Sequence, residues 1–127
     1  MSQVLIGVVT VYAIVFIGQP LFCDTGQGLV FSEDTEPWVA LDVDLYGDWA
    51  HCGDKILIRG DGWELEALAL DAGPLHEYWI EDWPDLPIIA DVPMHLAPFP
   101  GLSAQVTMIN LDRQPRYPIY GERRLVR

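Results

Sequence analysis

Residues 55–70 read KILIRGDGWELEALAL, two apolar runs joined by Gly60-Asp61-Gly62, and this stretch decides the fold class. Glycine tolerates the positive φ angles that tight turns require, so the stretch predicts a β-hairpin. In the second run, Glu64 and Glu66 alternate with apolar residues, which is the period of a half-buried strand. A short helix is the alternative for this run, but the turn directly before it favours a strand.

Similar short runs recur along the 127 residues, and 10 prolines and 11 glycines separate them. Seven strand-like runs must bury their edges, so the sequence predicts an all-β domain, a small closed barrel over residues 1–111. Residues 75–87, rich in tryptophan and carboxylates, are expected to form a loop or short helix, and residues 112–127 a C-terminal tail. The predicted strands are 4–16, 28–31, 38–43, 55–59, 63–70, 88–90 and 104–111.

The charge of the chain excludes some classes of partner. A net charge of −12 argues against nucleic acid and against an anionic membrane surface. The N-terminal run VLIGVVTVYAIVFIG is shorter than the roughly 20 residues of a membrane-spanning helix. Its valines, isoleucines and threonine favour a buried first strand or strand pair. A secretory signal or membrane anchor is the alternative interpretation.

The two cysteines, Cys23 and Cys52, are too few for a disulfide framework or a four-cysteine zinc site. We favour two unlinked cysteines. One disulfide, or a mixed metal site with Asp24 and His51, are the alternatives. No CxxC or HxxxH spacing supports a metal site, and the sequence contains no Gly-rich phosphate loop or dinucleotide fingerprint, so we predict no metal and no cofactor.

Three aspartates follow apolar runs: Asp42 in WVALDVDL, Asp71 in ALALDAGPL and Asp91 in PIIADVPM. Cleavage of a glycosidic bond requires an acid, and a carboxyl group serves near neutral pH only if its pKa is raised. Burial or a neighbouring carboxylate raises it, so Asp91 with Asp71 close by would suit this chemistry. The alternative is that strand-end aspartates only bind turn amides, and this is the favoured interpretation for Asp42.

The order VTVY, CDTG, WVALD, CGDKILIRGDG, ALALDAG, IIADV, QVTMINL resembles the three-aspartate domain of the double-psi β-barrel superfamily. That superfamily includes peptidoglycan-cleaving lytic transglycosylases. The resemblance implies a closed six-stranded double-psi barrel in which Asp91 is the acid/base and Asp71 its electrostatic partner. The attacking nucleophile would be the sugar's own C6 hydroxyl. One departure is Ala72-Gly73, where the family pattern has Thr-Gly; the family's Gly-rich run is also missing.

The candidate substrate contacts that complete this picture are Asp42, Tyr12, Thr25 and Trp79. Trp79 belongs to the aromatic loop, whose faces could stack on sugars, although an interface or core role is favoured for that loop. Asp24-Thr25-Gly26 also matches the catalytic triplet of aspartic proteases, which is a third hypothesis.

Two functional hypotheses follow. The first is an enzyme that cleaves peptidoglycan glycan strands and reaches the cell wall at lysis or in a bacteriophage particle. The second is a catalytically degenerate barrel that serves as a structural subunit of a phage tail or virion. Its partners would then be other protein subunits, in a homo- or hetero-oligomer. The sequence indicates no particular cellular location.

Overall fold

The computed structural model describes residues 3–12, 20–24 and 36–113, and these residues form a closed β-barrel. The order of strands around the barrel is β1-β5-β2-β4-β3-β6. The predicted all-β class and closed six-stranded barrel are confirmed. The strands are β1 Leu5–Tyr12, β2 Trp38–Asp42, β3 Lys55–Gly60, β4 Trp63–Gly73, β5 Ile88–Pro93 and β6 Ser103–Asn110.

Helical structure in these residues is limited to short 3-10 turns, at Val43–Leu45, Leu75–Glu77 and Met94–Leu96. The predicted loop or helical turn at residues 75–87 is therefore confirmed. The expected strand at 28–31 lies outside the described residues, as do residues 13–16 of the first predicted strand. The tail stays a prediction, since residues 114–127 also lie outside them.

No helix among the described residues has both the length and the apolar character needed to cross a bilayer.

The hairpin forms as expected. β3 and β4 pair antiparallel, with Gly60 opposite Trp63, and Gly62 has a φ of 82°. This value lies in the left-handed region, which glycine adopts without steric cost. Ala67 and Ala69 are buried in the core while Glu64 is exposed, so the alternation of the sequence places one face of β4 inside the barrel.

The barrel is mixed. β1 and β5 pair in parallel, as do β2 and β4, and the other four neighbouring pairs are antiparallel. The parallel partners are not consecutive in the chain, because parallel strands need a long crossover connection. Each parallel pair therefore brings together residues that are far apart in sequence.

Apolar side chains fill the barrel, and burial of each large one contributes roughly 1.5–3 kcal/mol. The main core includes Val9, Val39, Leu41, Ile56, Ile58, Val92 and Met108. A second, smaller cluster joins Leu21 and Trp38 with Leu70 on the outer face of the barrel. The turn that contains Leu21 is thus held against the outside of β2 and β4.

Each parallel pair contains one extra residue. In β4, Ala69 pairs with Val39 and Asp71 with Ala40, which leaves Leu70 without a partner on β2. Strict alternation from the buried Ala69 would place Asp71 inside the barrel. The extra residue reverses the alternation. Val39 and Leu41 of β2 point into the core, so Ala40 between them points outward, and its partner Asp71 lies on the same outer face.

The same device occurs in β5. Val8 pairs with Ile88 and Val9 with Ala90, so Ile89 is the unpaired extra residue. Both Ile89 and Ala90 belong to the core, which leaves Asp91 on the outer face. Two one-residue irregularities therefore turn two carboxylates out of the barrel.

Cys23 and Cys52 form a disulfide, with their Cα atoms 5.7 Å apart. The favoured prediction of unlinked cysteines is therefore wrong, and the thiols of the alternative metal site are used in this bond. The physical reason is that two loops meet at the extra residue of β4. The Cys23 amide donates to the Leu70 carbonyl at 3.0 Å, and the Gly53 amide donates to the Ala69 carbonyl at 2.8 Å.

We predict that loss of this disulfide lowers the free energy of unfolding. The bond spans a sequence separation of 29 residues, and release of a loop of that length costs about 3–4 kcal/mol. Urea unfolding of the wild type with and without dithiothreitol measures the change. The Cys23→Ala/Cys52→Ala variant should match the reduced protein and not respond to reductant. An unchanged unfolding midpoint in fully reduced wild type would contradict the prediction.

Candidate functional site

A row of side chains crosses four neighbouring strands on the outer face of the barrel. Thr10 pairs with Asp91, Asp91 pairs with Ala40, and Ala40 pairs with Asp71. Because neighbouring strands are about 4.8 Å apart, the Cα atoms of the two aspartates are about 10 Å apart. The residue between them in the row is the fully buried Ala40. The structure thus brings the two predicted catalytic residues into one row.

Asp91 has an unusual environment for a carboxyl group. Burial raises its pKa from the ordinary 3.8 to about 6. A hydrogen bond from the Thr10 hydroxyl to Asp91 Oδ1, 2.8 Å long, opposes this shift, while the negative charge of Asp71 adds to it. A carboxyl group with this pKa has both protonation states populated near pH 6, as a general acid/base requires.

Thr10 is a site residue to which the sequence assigned no role. It lies in the VTVY segment that contributes to the family resemblance, so a signal was present, but its contact with Asp91 depends on parallel pairing across 81 residues of chain. Its hydroxyl donates to one carboxylate oxygen and so orients the group.

Asp71 binds the turn that the disulfide holds. The amide of Phe22 donates to Asp71 Oδ1 at 2.7 Å, and the Tyr46 hydroxyl donates to the main-chain oxygen of Asp71, also at 2.7 Å. The rings of Phe22 and Tyr46 lie 5.0 Å apart. Burial, together with the charges of Asp71 and Asp54, raises the pKa of Tyr46, which keeps its phenol protonated as a donor. Asp71 is therefore a turn-binding residue whose charge also acts on Asp91.

Asp42 lies apart from the row. It is buried, and its Oδ1 accepts a 2.8 Å hydrogen bond from the His76 amide and lies 2.8 Å from His76 Nδ1. The hydrogen bond between the two side chains raises the pKa of His76. Burial opposes the shift, and the charges of Asp42, Asp44 and Glu77 add to it. Asp42 therefore fixes the 3-10 turn Leu75–Glu77. Nothing in the spacing of the sequence indicated this pair.

Asp42, Asp44 and His76 each offer one ligand atom, and these atoms lie within 4.8 Å of one another. Two carboxylates and an imidazole suit a divalent cation by donor type. The hydrogen bond between Asp42 and His76 accounts for this arrangement without a bound cation.

Of the other predicted substrate contacts, the structure describes only the side chain of Trp79 besides that of Asp42. Trp79 has 68% of its surface exposed. Tyr12 ends β1 opposite Pro93, but its side chain is outside the described part of the structure, and so is Thr25.

A cavity of about 720 Å³ lies beside the row. Asp71 and Asp91 do not line it, but Ser103 does, and Ser103 pairs with Thr10 of the row. Its lining includes three aromatic residues, Trp63, Trp83 and Phe99. It also includes the polar or charged residues Arg59, Asp61, Gln105 and Thr107.

Comparison of the sequence with models of protein families gives no match, and comparison with curated proteins gives no similar sequence. The chemistry of the site therefore carries the functional argument.

We predict that Asp91→Asn stabilises the protein at neutral pH. The folded state holds the Asp91 proton to a higher pH than the unfolded chain, so stability falls as pH rises from about 4 to about 6. This shift corresponds to about 3 kcal/mol at most. The neutral amide avoids this cost, so the variant should be about 1–3 kcal/mol more stable at pH 7.5, with no gain at pH 4.

Urea unfolding at the two pH values measures this difference. Asp82→Asn, which removes an exposed carboxylate from the 75–87 loop, is the matched control and should show no such pH-dependent gain. An Asp91→Asn variant less stable than the wild type at pH 7.5 would contradict the burial argument.

Proposed function

We propose that this protein cleaves the glycan strands of peptidoglycan by lytic-transglycosylase chemistry, with Asp91 as the acid/base. The observation that carries the proposal is the partly buried Asp91 carboxyl, with a pKa of about 6, in one row with Thr10 and Asp71. The closed barrel, its two parallel strand pairs and the Asp42, Asp44 and His76 cluster are compatible with a double-psi barrel, which supports the three-aspartate resemblance.

In the first step, neutral Asp91 donates its proton to the glycosidic oxygen, and the bond from that oxygen to C1 of the sugar breaks. The leaving sugar departs with a free hydroxyl, and positive charge develops at C1. The Asp91 carboxylate then accepts the proton of the C6 hydroxyl of the same sugar as that oxygen bonds to C1. The product carries a 1,6-anhydro end, no water is consumed, and Asp91 is again protonated.

Two neighbours of Asp91 support these steps. Thr10 donates to Oδ1, which leaves Oδ2 to carry the catalytic proton. The charge of Asp71 favours the protonated form of Asp91 and would also stabilise positive charge on the sugar. Because Asp71 Oδ1 is engaged by the Phe22 amide, its role is electrostatic. An internal nucleophile in the substrate removes the need for a second reactive carboxylate.

A second candidate function is a subunit of a larger protein assembly. Tyr78 and Trp79 are adjacent and have 61% and 68% of their surfaces exposed. Aromatic residues are enriched at protein interfaces, so this pair favours a contact with another subunit. In that case the barrel would be a scaffold that retains its aspartates for turn binding.

The decisive experiment is digestion of purified peptidoglycan, followed by mass spectrometry of the released muropeptides. We expect anhydro-ended products from the wild type and a loss of at least about 100-fold in Asp91→Asn, as is typical for removal of a general acid. Asp82→Asn should retain wild-type activity. Activity should fall as pH rises above about 6, where Asp91 loses its proton.

Asp71→Asn should shift this fall in activity to lower pH, because it removes the charge that raises the Asp91 pKa. Equal product release by wild type and Asp91→Asn would refute the role of Asp91. No release by folded wild type across the pH range would refute the enzyme, and sedimentation would then test the assembly subunit.

A further inference from the structure

We propose that the cavity beside β6 binds a neutral saccharide segment of a sugar chain that extends from there to Asp91. Its placement beside a catalytic acid rests on the proposed function, whereas saccharide binding by the cavity stands on its own lining. Its volume of about 720 Å³ falls within the usual range of small-molecule sites.

One wall of the cavity is a fixed aromatic pair. Trp63 and Phe99 stack with ring centroids 5.1 Å apart. Trp63 also lies against Gly60, where an added Cβ would come within 2.2–2.4 Å of the indole. The indole is therefore fixed by its contacts with Phe99 and Gly60, and a ligand that contacts this wall need not order it.

Three polar groups of the lining come from one strand. Val106 and Met108 of β6 point into the core, so Ser103, Gln105 and Thr107 lie on the outer face, and all three line the cavity. Their side chains repeat every two residues, about 6.8 Å apart. Hydroxyl and amide groups both donate and accept hydrogen bonds, which suits sugar hydroxyls and acetamido groups.

The charges around the cavity favour a neutral ligand. Its one arginine, Arg59, is paired through Nε with Glu64 Oε2 at 2.8 Å, and Asp61 also lines the cavity. The chain carries a net charge of −12, and among the described residues of this lining a phosphate or another anion finds no cation outside an ion pair. A pyranose has an apolar face for the aromatic wall and neutral polar edges for β6, which matches this lining.

The position of the cavity connects it to the row. Ser103 pairs with Thr10, and Thr10 pairs with and donates to Asp91. Ser103 and Asp91 are therefore two strand spacings apart, about 10 Å between Cα atoms. A sugar chain bound in the cavity would need to extend by about two strands to reach the carboxyl group.

Two tryptophans of one loop provide the test. Trp83 lines the cavity and Trp79 does not. In an Asp91→Asn background, which prevents turnover, calorimetry would measure binding of the N-acetylglucosamine tetrasaccharide. We expect Trp83→Ala to weaken binding at least about 10-fold and Trp79→Ala to change it less than about 2-fold.

Gln105→Ala is a second variant, at an exposed strand position that should not disturb folding. It should weaken binding about 3- to 10-fold, the usual effect of losing one hydrogen bond. No binding at millimolar tetrasaccharide would overturn the proposal, and so would a loss caused by Trp79→Ala and not by Trp83→Ala or Gln105→Ala. Trp83-dependent binding by a protein that never cleaves peptidoglycan would support this cavity while refuting the proposed enzyme.

Discussion

One extra residue in each of two strands determines which way the acidic side chains of this barrel point. If β4 and β5 alternated strictly after the inward-facing Ala69 and Ile89, without an extra residue, Asp71 and Asp91 would point into the apolar interior. A charged carboxylate there would cost several kcal/mol, so the barrel depends on these irregularities for its stability as well as for its site. Because β2 lies between β5 and β4, the two aspartates emerge on either side of the same β2 residue, Ala40.

The same arrangement would place stability and the proposed function in opposition at one residue. Asp91 remains partly buried, and its raised pKa means that the folded state disfavours its charged form at neutral pH. The shift is retained although the Thr10 hydrogen bond opposes it. A loss of folding stability of this kind is expected at a catalytic acid, since active sites often trade stability for activity. Asp71, by contrast, is used twice: it holds the disulfide-linked turn through the Phe22 amide and acts on Asp91 through its charge.

Local patterns predicted most of the barrel. Gly60-Asp61-Gly62 and the alternation after it identified the hairpin, and the spacing of apolar runs located the other described strands. The unpaired residues were not predictable, because ALALDAG and PIIADV contain no signal that marks one residue as extra. The disulfide and the pair of Asp42 and His76 depend on loops that meet only after the barrel closes. The row was predictable only in part: Asp71 and Asp91 stood out by their apolar settings, whereas Thr10 became a site residue through parallel pairing.

The most direct measurement is the pKa of Asp91 itself, from a carbon-detected NMR titration of carboxyl-labelled protein in which Asp91→Asn identifies the resonance. We expect a midpoint near pH 6, and a lower midpoint in Asp71→Asn because the neighbouring charge is gone. A midpoint near 4, the ordinary value for an exposed aspartate, unchanged in Asp71→Asn, would contradict the claim that the barrel prepares Asp91 for acid/base chemistry.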